Sequence, residues 1–429
     1  MTKTSLSPEK SQRRDHRRTL IGTGVGNALE WYDWNVYAAF TVFIAAQIFN
    51  NDNPTSAVLA TLAIFAVGFV ARPFGGFLFG WIADRRGRKF SLMLAIALAS
   101  LGSLMIGLTP TFETAGVFSS LMLLVARLMQ GLAHGGELPS AQTYLSEAAP
   151  RERRGLWSSW MYITGTFGIL FGLLVGAVLN STMSAQAMDD FGWRIPFLLG
   201  AVFGLFSLYM RSGMKESEVF EKNLAEKRAH DPVWPQIYRH RKAAMQVIGM
   251  TLGITVAYYA WAINAPAFAA SSLGIDRGQT LWAGIICNLV FMAALPLWGM
   301  LSDKIGRRPV LLVGTLGSAI AYFPMVFLLQ DSMWQLIASM SVMLIALSAF
   351  LAIAPAVYAE LFPTSVRAVG VGLPYALCVA LFGGTAPYLQ VWMGSQFGHT
   401  AFAIYAVALL LISTVFVWFL PETKAKNLA

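Results

Sequence analysis

The sequence predicts an all-α membrane protein in which twelve transmembrane helices form two pseudo-symmetric bundles of six helices. Hydrophobic residues make up 56% of the 429 residues, and charged residues make up only 12%, about half of the share that is usual in soluble domains. Twelve apolar runs are long enough to cross a bilayer. A basic segment occurs twice, at 80–89 and at 299–308, and such a repeat indicates two homologous halves.

The twelve apolar runs alternate with polar loops along the chain. A membrane-spanning helix needs roughly 20 apolar residues. Because backbone groups in lipid must find hydrogen-bond partners within their own segment, each run is predicted to be an α-helix. The predicted spans are residues 20–48, 55–83, 90–109, 115–146, 156–180, 192–210, 243–270, 279–301, 309–329, 333–359, 367–395 and 400–420.

Lysine and arginine residues predict how these spans are oriented. The N-terminal tail, the loops after the even-numbered spans and the C-terminal tail together hold 27 of the 31 basic residues. The opposite loops hold Arg277, and Arg72, Arg127 and Arg194 lie within spans or at a span end. Loops rich in basic residues stay in the cytoplasm, so both termini are predicted to be cytoplasmic, in the plasma membrane of a bacterium. The net charge of +9 is then a topology signal, and nucleic-acid binding is not predicted.

The longest polar stretch divides the chain into two halves. The predicted parts are a cytoplasmic tail at 1–19, an N-terminal bundle at 20–210, a cytoplasmic central loop at 211–242, a C-terminal bundle at 243–420 and a cytoplasmic tail at 421–429. Cys287 and Cys378 lie inside apolar runs and form no spacing motif, so neither a disulfide nor a metal site is predicted.

The repeated basic segment predicts a conformational latch at the cytoplasmic helix ends. Its glycines allow close helix approach and tight turns. Its aspartates can pair with arginines or with the positive end of a helix in the facing half. Loop topology alone would explain the arginines, but not the matched aspartates and glycines. A second repeat places an acid seven residues before an arginine after spans four and ten. The predicted latch residues are Gly80, Asp84, Gly87, Arg88, Gly299, Asp303, Gly306, Arg307, Glu147, Arg154, Glu360 and Arg367.

Ionisable residues inside the N-terminal spans predict a site of proton coupling. Such a residue near the middle of the membrane costs about 2.5–3.5 kcal/mol on insertion scales and marks a functional candidate. Glu30 and Asp33 are three residues apart in span one, and Arg127, His134 and Glu137 share one stripe of span four. A carboxyl group held between burial and an arginine can take up and release a proton. The alternatives are a fixed structural ion pair and, for the histidine, a plain hydrogen bond to a neighbouring helix.

Arginine near the membrane centre predicts an anionic substrate, because its guanidinium group binds carboxylates through paired hydrogen bonds. Arg72 lies far enough into span two to reach a central cavity. Arg194, at the outer start of span six, is equally consistent with an interfacial anchor. The C-terminal spans carry no basic or acidic residue before Glu360, so that half is expected to supply neutral contacts. These are Tyr258, Tyr259, Trp261, Asn264 and Asn288.

Short motifs in both halves carry a family resemblance. They are Gly26-Asn27-Ala28-Leu29-Glu30-Trp31-Tyr32-Asp33, Arg72-Pro73-Phe74-Gly75-Gly76, Arg127-Leu128-Met129-Gln130-Gly131, Gly135-Gly136-Glu137, Gly192-Trp193-Arg194-Ile195-Pro196-Phe197 and Phe382-Gly383-Gly384. With the twelve spans and the repeated loop, they resemble the major facilitator superfamily and, within it, the metabolite:proton symporter family. The resemblance runs from about Gly22 to Leu420.

This family includes carriers of α-ketoglutarate, citrate, shikimate and proline or betaine, and residues 366–388 most resemble the α-ketoglutarate carriers. The resemblance implies that Arg127 is the charged partner on span four. The chain departs from the family pattern at Trp34 and at Leu138-Pro139. Both departures are expected near the cavity, where they bear on which substrate is bound.

The sequence thus predicts a monomeric carrier in the lipid bilayer, without a cofactor, that imports a small organic acid together with protons by alternating access. The acid is expected to be an α-ketoglutarate-like dicarboxylate or a related carboxylate. One alternative is symport of a zwitterionic osmolyte such as proline or betaine. Another is efflux antiport, which is disfavoured because no proline interrupts span five. No nucleotide-binding loop and no nucleophile–base set stands out, so neither an ATP-driven pump nor an enzyme is predicted.

Overall fold

The computed structural model describes residues 8–50, 53–86, 88–135, 142, 145–147, 149–212, 238–363 and 367–426. Within these ranges twelve helices, labelled α1–α12 in chain order, cross the molecule. Five of those in the N-terminal half are continuous: α2 (Pro54–Arg86), α3 (Arg88–Leu108), α4 (Val117–His134), α5 (Arg154–Thr182) and α6 (Ile195–Ser212). The first helix, α1 (Pro8–Ala39), breaks at Phe40 and continues as Thr41–Ile48.

The C-terminal half contains α8 (Arg277–Ile305), α12 (His399–Trp418) and four helices built from several segments. They are α7 (Arg241–Tyr258, Tyr259–Asn264, Ala265–Ser272), α9 (Arg307–Leu312, Val313–Gly317, Ser318–Leu328), α10 (Met333–Leu351, Ala354–Leu361) and α11 (Arg367–Cys378, Val379–Gly383, Ala386–Phe397). Short helical turns at Phe112–Ala115, Arg151–Arg153, Ala185–Asp190 and Gly192–Arg194 lie between the crossing helices of the N-terminal half.

Eleven of the described helices contain a stretch apolar enough to cross a membrane. Their outward faces carry exposed large apolar side chains, among them Phe77, Leu205 and Phe327. Such faces are unfavourable in water and suit lipid. With α1, whose first residues belong to the polar N-terminal tail, these helices agree with the predicted twelve-span architecture.

Prolines explain the helix interruptions in α7 and α10. The break in α10 at Ala352 and Ile353 precedes Pro355, and the middle segment of α7 ends just before Pro266. Proline lacks a backbone N–H and disfavours helical geometry in the residue before it. The middle segments of α7, α9 and α11 are π-helical turns, each with one extra residue in the helical repeat. Such turns occur often at functional sites.

Glycines of α5 bring that helix into direct contact with α1. A Cβ atom at Gly168 would overlap the carbonyl oxygen of Ala28, and one at Gly165 would lie 2.8 Å from the Trp31 ring. Small residues on one face of a helix permit this approach. The side chain of Asn27 adds hydrogen bonds to the Met161 carbonyl oxygen (2.6 Å) and to the Thr164 hydroxyl (2.9 Å). The contact therefore fixes the rotation of α1, which carries Glu30 and Asp33.

The two halves meet mainly along two helix pairs, α5 with α8 and α2 with α11, and α1 also contacts α7. At one end of the molecule, called the basic end below, lie Arg151–Arg154, the turn between α8 and α9, and Glu360. The other end, called the opposite end, carries the turns Phe112–Ala115 and Ala185–Asp190. Gly306 joins α8 to α9 with a φ of 108°, a backbone conformation that favours glycine.

Candidate functional site

A buried ion pair joins α1 to α2 near the middle of the N-terminal bundle. The Arg72 Nη2 atom lies 3.3 Å from Glu30 Oε1, and the two residues are only 8% and 3% exposed. The guanidinium group lies over the rings of Trp34, at 4.2 Å, and Phe69, at 4.4 Å. Contacts of this kind favour a cation. Arg72 is therefore held as a charged group by one carboxylate and two ring faces.

A chain of hydrogen bonds leads from Asp33 to Arg127 across three helices. Asp33 Oδ1 accepts a hydrogen bond from the Ser103 hydroxyl at 3.1 Å, and Gln130 Nε2 donates to that hydroxyl at 2.8 Å. Arg127 Nη1 donates to Gln130 Oε1 at 2.7 Å. His134 Nε2 lies 3.9 Å from Asp33 Oδ2. The side chains of α1, α3 and α4 are thereby connected into one polar network.

Arg127 is completely buried, with its guanidinium group 4.1 Å from the Trp34 ring and 4.1 Å from the Tyr37 ring. Within the described part of the chain its Nε and Nη2 atoms have no hydrogen-bond partner. The Trp34 ring thus contacts two guanidinium groups, those of Arg72 and Arg127. Since buried charges are costly without partners, this tryptophan helps to hold two cations in the bundle interior.

Aromatic residues of both halves meet beside the Arg72–Glu30 pair. The Trp31 ring lies 5.6 Å from Tyr258, and Phe69 lies 5.1 Å from Tyr259. Tyr162 of α5 packs 5.9 Å from Tyr258. The sequence identified the two tyrosines of α7 and missed Trp31 and Tyr162. The sequence shows that Trp31 directly follows Glu30, the acidic residue of the ion pair, but it does not show what the Trp31 ring faces.

The remaining predicted substrate contacts are spread over the molecule. Asn264 donates a hydrogen bond to Gln390 Oε1 at 2.9 Å, and Asn288, which is fully buried, donates to the Gly284 carbonyl oxygen of its own helix. Arg194 donates to the Thr109 carbonyl oxygen at 2.5 Å, near the opposite end. The structure therefore brings Tyr258 and Tyr259 to the ion-pair region and does not place Arg194 there.

At the basic end, Glu360 connects residues of both halves. The carboxylate of Glu360 is fully buried. It accepts hydrogen bonds from Arg154 Nη1 at 2.9 Å, from Arg307 Nη2 at 3.5 Å and from the Thr423 hydroxyl at 2.6 Å. Arg154 belongs to the N-terminal half and Arg307 to the C-terminal half. This cluster holds the halves together at the basic end.

Asp303 makes a second contact between the halves at this end. Its carboxylate accepts hydrogen bonds from the backbone N–H groups of Gly155 (2.8 Å) and Leu156 (2.9 Å), at the first turn of α5. Arg307 Nη1 lies 2.7 Å from the same carboxylate. A carboxylate at a helix N-terminus is stabilised by the unpaired N–H groups there. Arg367 also reaches across, to Glu147 at 2.5 Å.

The sequence predicts the C-terminal segment only as a cytoplasmic tail. In the structure, residues 421–426 are part of the basic end. Arg154 Nη1 donates to the Lys426 carbonyl oxygen at 3.1 Å. Glu422 accepts hydrogen bonds from the backbone N–H groups of Arg307 (2.9 Å) and Arg308 (3.2 Å), at the start of α9. Partial burial of Glu422 opposes its ionisation, but these N–H groups outweigh that effect and lower its pKa.

Comparison with known proteins settles the family. Residues 20–231 match the profile of the sugar (and other) transporter family, and residues 250–429 match that of the major facilitator superfamily. The chain is 36% identical to the alpha-ketoglutarate permease of Escherichia coli (strain K12) over 99% of both proteins. The chain belongs to the major facilitator superfamily. It is also 33% identical to a protein of Staphylococcus aureus (strain COL) named as a proline/betaine transporter, over 96% of this chain and 90% of that protein.

Solved structures show the same fold. A crystal structure of a D-xylose–proton symporter superimposes with a TM-score of 0.75 at 22% identity, over 95% of this chain and 98% of that chain. A partially occluded, inward-open structure of the xylose transporter from E. coli gives a TM-score of 0.72 at 20% identity, over 96% and 99%. This transporter therefore has the twelve-helix fold and the family that its motifs predict, and it is not an enzyme.

Some predicted site residues of this transporter lie outside the described part of the structure. Glu137 and Gly87 are not described, nor are the surroundings of Gly80 or the side-chain positions of Asp84 and Arg88. The proposed roles of these five residues rest on the sequence pattern. The other latch residues, in contrast, have the positions given above, and a Cβ atom at Gly299 would lie 2.8 Å from the Gly155 carbonyl oxygen of the facing half.

At the opposite end, the two halves of the transporter are joined through Arg277, the basic residue of the opposite loops. Arg277 Nη1 lies 3.1 Å from Asp189 Oδ1, and its guanidinium group lies 4.5 Å from the Phe43 ring of the α1 continuation. The two charged side chains are 39% and 41% exposed. Contacts between the halves are therefore present at both ends of the molecule.

Replacing Arg277 with alanine is expected to shift the closed-to-open equilibrium at this end by less than about fivefold, because a half-exposed ion pair contributes at most about 1 kcal/mol. The Asn180 side chain, near the end of α5, faces Gly278, the neighbour of Arg277 in α8. The measurement is therefore the rate of thiol labelling of Asn180→Cys in a protein that lacks Cys287 and Cys378. With Arg277 present, added salt should speed labelling by screening the pair, and this salt effect should be absent from Arg277→Ala. Arg277→Lys is the control that keeps the charge. A shift above tenfold, or a salt effect that persists in Arg277→Ala, would contradict the weak surface contact described here.

Proposed function

We propose that this protein is a proton-coupled symporter that imports a small carboxylate by alternating access, with its basic end in the cytoplasm. The observation that carries this proposal is the buried Arg72–Glu30 ion pair, which lies beside the aromatic contact between the halves. The identity to alpha-ketoglutarate permease supports a dicarboxylate of that kind as the substrate. The basic loops support the orientation, since such loops remain in the cytoplasm.

The ion pair suggests how a proton and an anion are coupled. Arg72 is occupied by the Glu30 carboxylate in the structure. When Glu30 accepts a proton, it loses its charge and no longer competes for the guanidinium group. A substrate carboxylate then takes its place, because a buried arginine without a partner would cost several kcal/mol. Anion and proton therefore bind together, and after both have left, Glu30 pairs with Arg72 again.

The contacts at the two ends support alternating access around this site. At the basic end, Asp303, Arg307, Glu360 and Arg154 form contacts between the halves that must break when the site opens to that side. At the opposite end, the Arg277–Asp189 pair has the corresponding role. We assign the stronger barrier to the basic end, because several charge-assisted hydrogen bonds join the halves there, whereas the opposite end has the half-exposed Arg277–Asp189 pair.

The membrane potential supplies enough energy for accumulation. A potential of 100 mV is worth about 2.3 kcal/mol for each net charge moved, which corresponds to roughly fiftyfold accumulation. For a dicarboxylate, two protons balance the substrate charge, so net positive charge enters only with a third. Asp33 and His134 lie next to the Glu30 site and are the groups available for additional protons.

A zwitterionic substrate is the second candidate, and one observation favours it. Trp31, Tyr258 and Tyr259 present aromatic rings beside Arg72. Such rings attract quaternary ammonium groups. A betaine would place its carboxylate on Arg72 and its cation on these rings. The 33% identity to the proline/betaine relative supports this alternative, as the identity to alpha-ketoglutarate permease supports a dicarboxylate.

Uptake into proteoliposomes tests the function directly. The purified protein is reconstituted, an inward proton gradient is imposed, and labelled α-ketoglutarate, citrate, shikimate, proline and betaine are offered separately. We expect gradient-driven uptake of one organic acid. Uptake of proline or betaine alone would support the second candidate. If no compound enters while a preloaded one leaves against its gradient, the protein is an exporter and the proposed direction is wrong.

Replacing Glu30 with glutamine is expected to make substrate binding independent of pH. In the unchanged protein, affinity should fall as pH rises, because deprotonated Glu30 returns to Arg72. Glutamine cannot lose a proton, so Arg72 stays available, and affinity should vary less than twofold between pH 5.5 and 8 while gradient-driven accumulation falls at least tenfold. The dissociation constant is measured by scintillation proximity at each pH. Glu113→Gln, at an exposed acid of the opposite end, is the matched control. An unchanged pH dependence in Glu30→Gln would exclude Glu30 as the coupling group.

A further inference from the structure

A cavity lies inside the N-terminal bundle, between α1, α3, α4 and α6. Its volume is about 50 Å³, enough for about three water molecules. Its lining includes four ionisable residues, namely Glu30, Tyr32, Asp33 and His134, together with the hydroxyl-bearing Ser100 and Ser207. It is called the bundle cavity below. Its wall is polar where it meets the two carboxyl groups, which is the condition for a hydrated cavity.

The wall of the bundle cavity includes His134, whose ring carries a buried polar atom. His134 is 9% exposed, and within the described residues its Nε2 atom has no hydrogen-bond partner. Asp33 Oδ2 lies 3.9 Å away, beyond hydrogen-bonding distance. The imidazole nitrogen and the carboxylate therefore lie close together at the cavity wall without a direct hydrogen bond between them.

Glycines of α6 keep the cavity open. A Cβ atom at Gly200 would lie 2.7 Å from Asp33 Oδ1, and one at Gly204 would overlap the Ser100 hydroxyl. Larger residues would cover the carboxyl group or push α6 away from α3. The hydroxyl of Ser100 donates to the Ile96 carbonyl oxygen at 2.7 Å, which leaves its oxygen able to accept a hydrogen bond from water.

The helix α1 separates the bundle cavity from the interface between the halves. Gly26, Glu30 and Asp33 face the cavity, whereas Asn27 and Trp31 contact α5 and α7 on the other side. Glu30 takes part in both environments, because its carboxylate lines the cavity and also contacts Arg72. The cavity extends towards the basic end as far as Ala95, seven residues into α3, which is about 10 Å from the start of that helix.

We propose that protons move between the carboxyl groups of Glu30 and Asp33 and the solvent at the basic end. They pass through the bundle cavity, by a route separate from the path of the substrate. This inference rests on the proposed symport. The proton on a carboxyl group passes to a water molecule in the cavity and leaves towards the basic end as hydronium, and the carboxylate regains its negative charge.

The groups that face this pair assist the release. Arg72 from α2 contacts Glu30, and the Ser103 hydroxyl from α3 donates to Asp33. His134 and Arg127 approach from α4, the latter through Gln130. On α1 itself, Tyr32 donates to the Pro196 carbonyl oxygen and does not compete for the proton. The guanidinium groups of Arg72 and Arg127 therefore stabilise the carboxylates that form when the proton departs.

Filling the cavity should separate proton transfer from substrate movement. Ala99 lines the cavity and is 8% exposed, so Ala99→Leu adds three carbon atoms to its wall. Two rates are compared in proteoliposomes: uptake driven by a proton gradient, and exchange of labelled for unlabelled substrate at equal pH. Exchange needs alternating access but no release of the proton. We expect driven uptake to fall at least tenfold and exchange to stay within twofold of the unchanged protein.

Ala97→Leu is the matched control, since Ala97 lies on the same helix, is half-buried and does not line the cavity; both of its rates should stay within twofold. An equal loss of both rates in Ala99→Leu, or no loss in either, would overturn the proposed route.

The double variant Ser100→Ala/Ser207→Ala removes cavity hydroxyls without adding volume, so it decides the question should the leucine variant not fold. It should slow driven uptake about threefold and leave exchange unchanged, and equal effects on both rates would overturn the route. If the unchanged protein shows exchange but no gradient-driven uptake, the proposed symport itself is wrong.

Discussion

Arg72→Ala is expected to lower the affinity for a carboxylate substrate about a hundredfold and to abolish measurable uptake at micromolar concentrations. Removing one member of a buried charge pair costs about 2–5 kcal/mol, and about 3 kcal/mol corresponds to a factor of about a hundred in the dissociation constant. The substrate carboxylate would lose its cation, and Glu30 would remain in a buried site without Arg72. The measurement is the dissociation constant, together with initial uptake under an imposed proton gradient.

Two companion variants separate the loss of the substrate contact from loss of the fold. Arg72→Lys keeps the positive charge but loses the planar pair of donors, so it should retain part of the affinity. Arg72→Ala/Glu30→Gln removes the isolated carboxylate and should restore thermal stability without restoring uptake. Near-normal carboxylate affinity in Arg72→Ala would place the anion site elsewhere in the molecule. Loss of uptake in Arg72→Lys to the level of alanine would show that the paired donors, and not the charge alone, bind the substrate.

Glu360→Gln is expected to shift the protein towards the state that is open at the basic end. Glu360 is completely buried and contacts Arg154 of the other half. Removing one partner from a buried ion pair costs about 3–5 kcal/mol, and since Arg154 regains water when the halves separate, the cost falls on the closed state. The closed-to-open ratio should therefore decrease at least about a hundredfold. The measurement is thiol labelling of Ser158→Cys, because the Ser158 hydroxyl accepts a hydrogen bond from Ala356 N across the interface.

The matched control for this prediction is Glu152→Gln, at an exposed acid in the neighbouring turn Arg151–Arg153. Its labelling rate should stay within twofold of the rate of the Ser158→Cys protein that carries neither Glu152→Gln nor Glu360→Gln. The labelling rate of Glu360→Gln should rise strongly and should fall again when saturating substrate holds the protein occluded. If Glu360→Gln labels no faster than the control, the buried cluster does not limit opening at the basic end, and the contacts of Asp303 with the first turn of α5 would carry that role.

The sequence predicted the transmembrane helices because composition and length are enough for that purpose. A run of about 20 apolar residues in a chain with few charges has no other stable arrangement in lipid. The sequence did not predict the break at Phe40 or the π-helical turns in α7, α9 and α11. Those depend on how each helix meets its neighbours, since prolines such as Pro266 are accommodated in more than one way.

The candidate site was predictable as a set of residues but not as a set of partners. Rare ionisable residues within apolar spans marked Glu30, Asp33, Arg72, Arg127 and His134. Their spacing did not show that Arg72 pairs with Glu30, or that Gln130 and Ser103 connect Arg127 to Asp33. Ser103 and Gln130 are ordinary polar residues on other helices, and nothing in their sequence context distinguishes them.

The sequence by itself determined that this protein is a duplicated twelve-helix transporter with its unusual charges in the first half. Those features follow from local hydrophobicity, the distribution of basic residues and a repeated motif. Only the tertiary structure decided which charges meet: Arg154 contacts Glu360, 206 residues away along the chain, and the segment 421–426 packs against both halves. Such pairings depend on the rotation and close packing of helices, which are fixed by contacts such as that of Gly168 with Ala28 and by no single stretch of sequence.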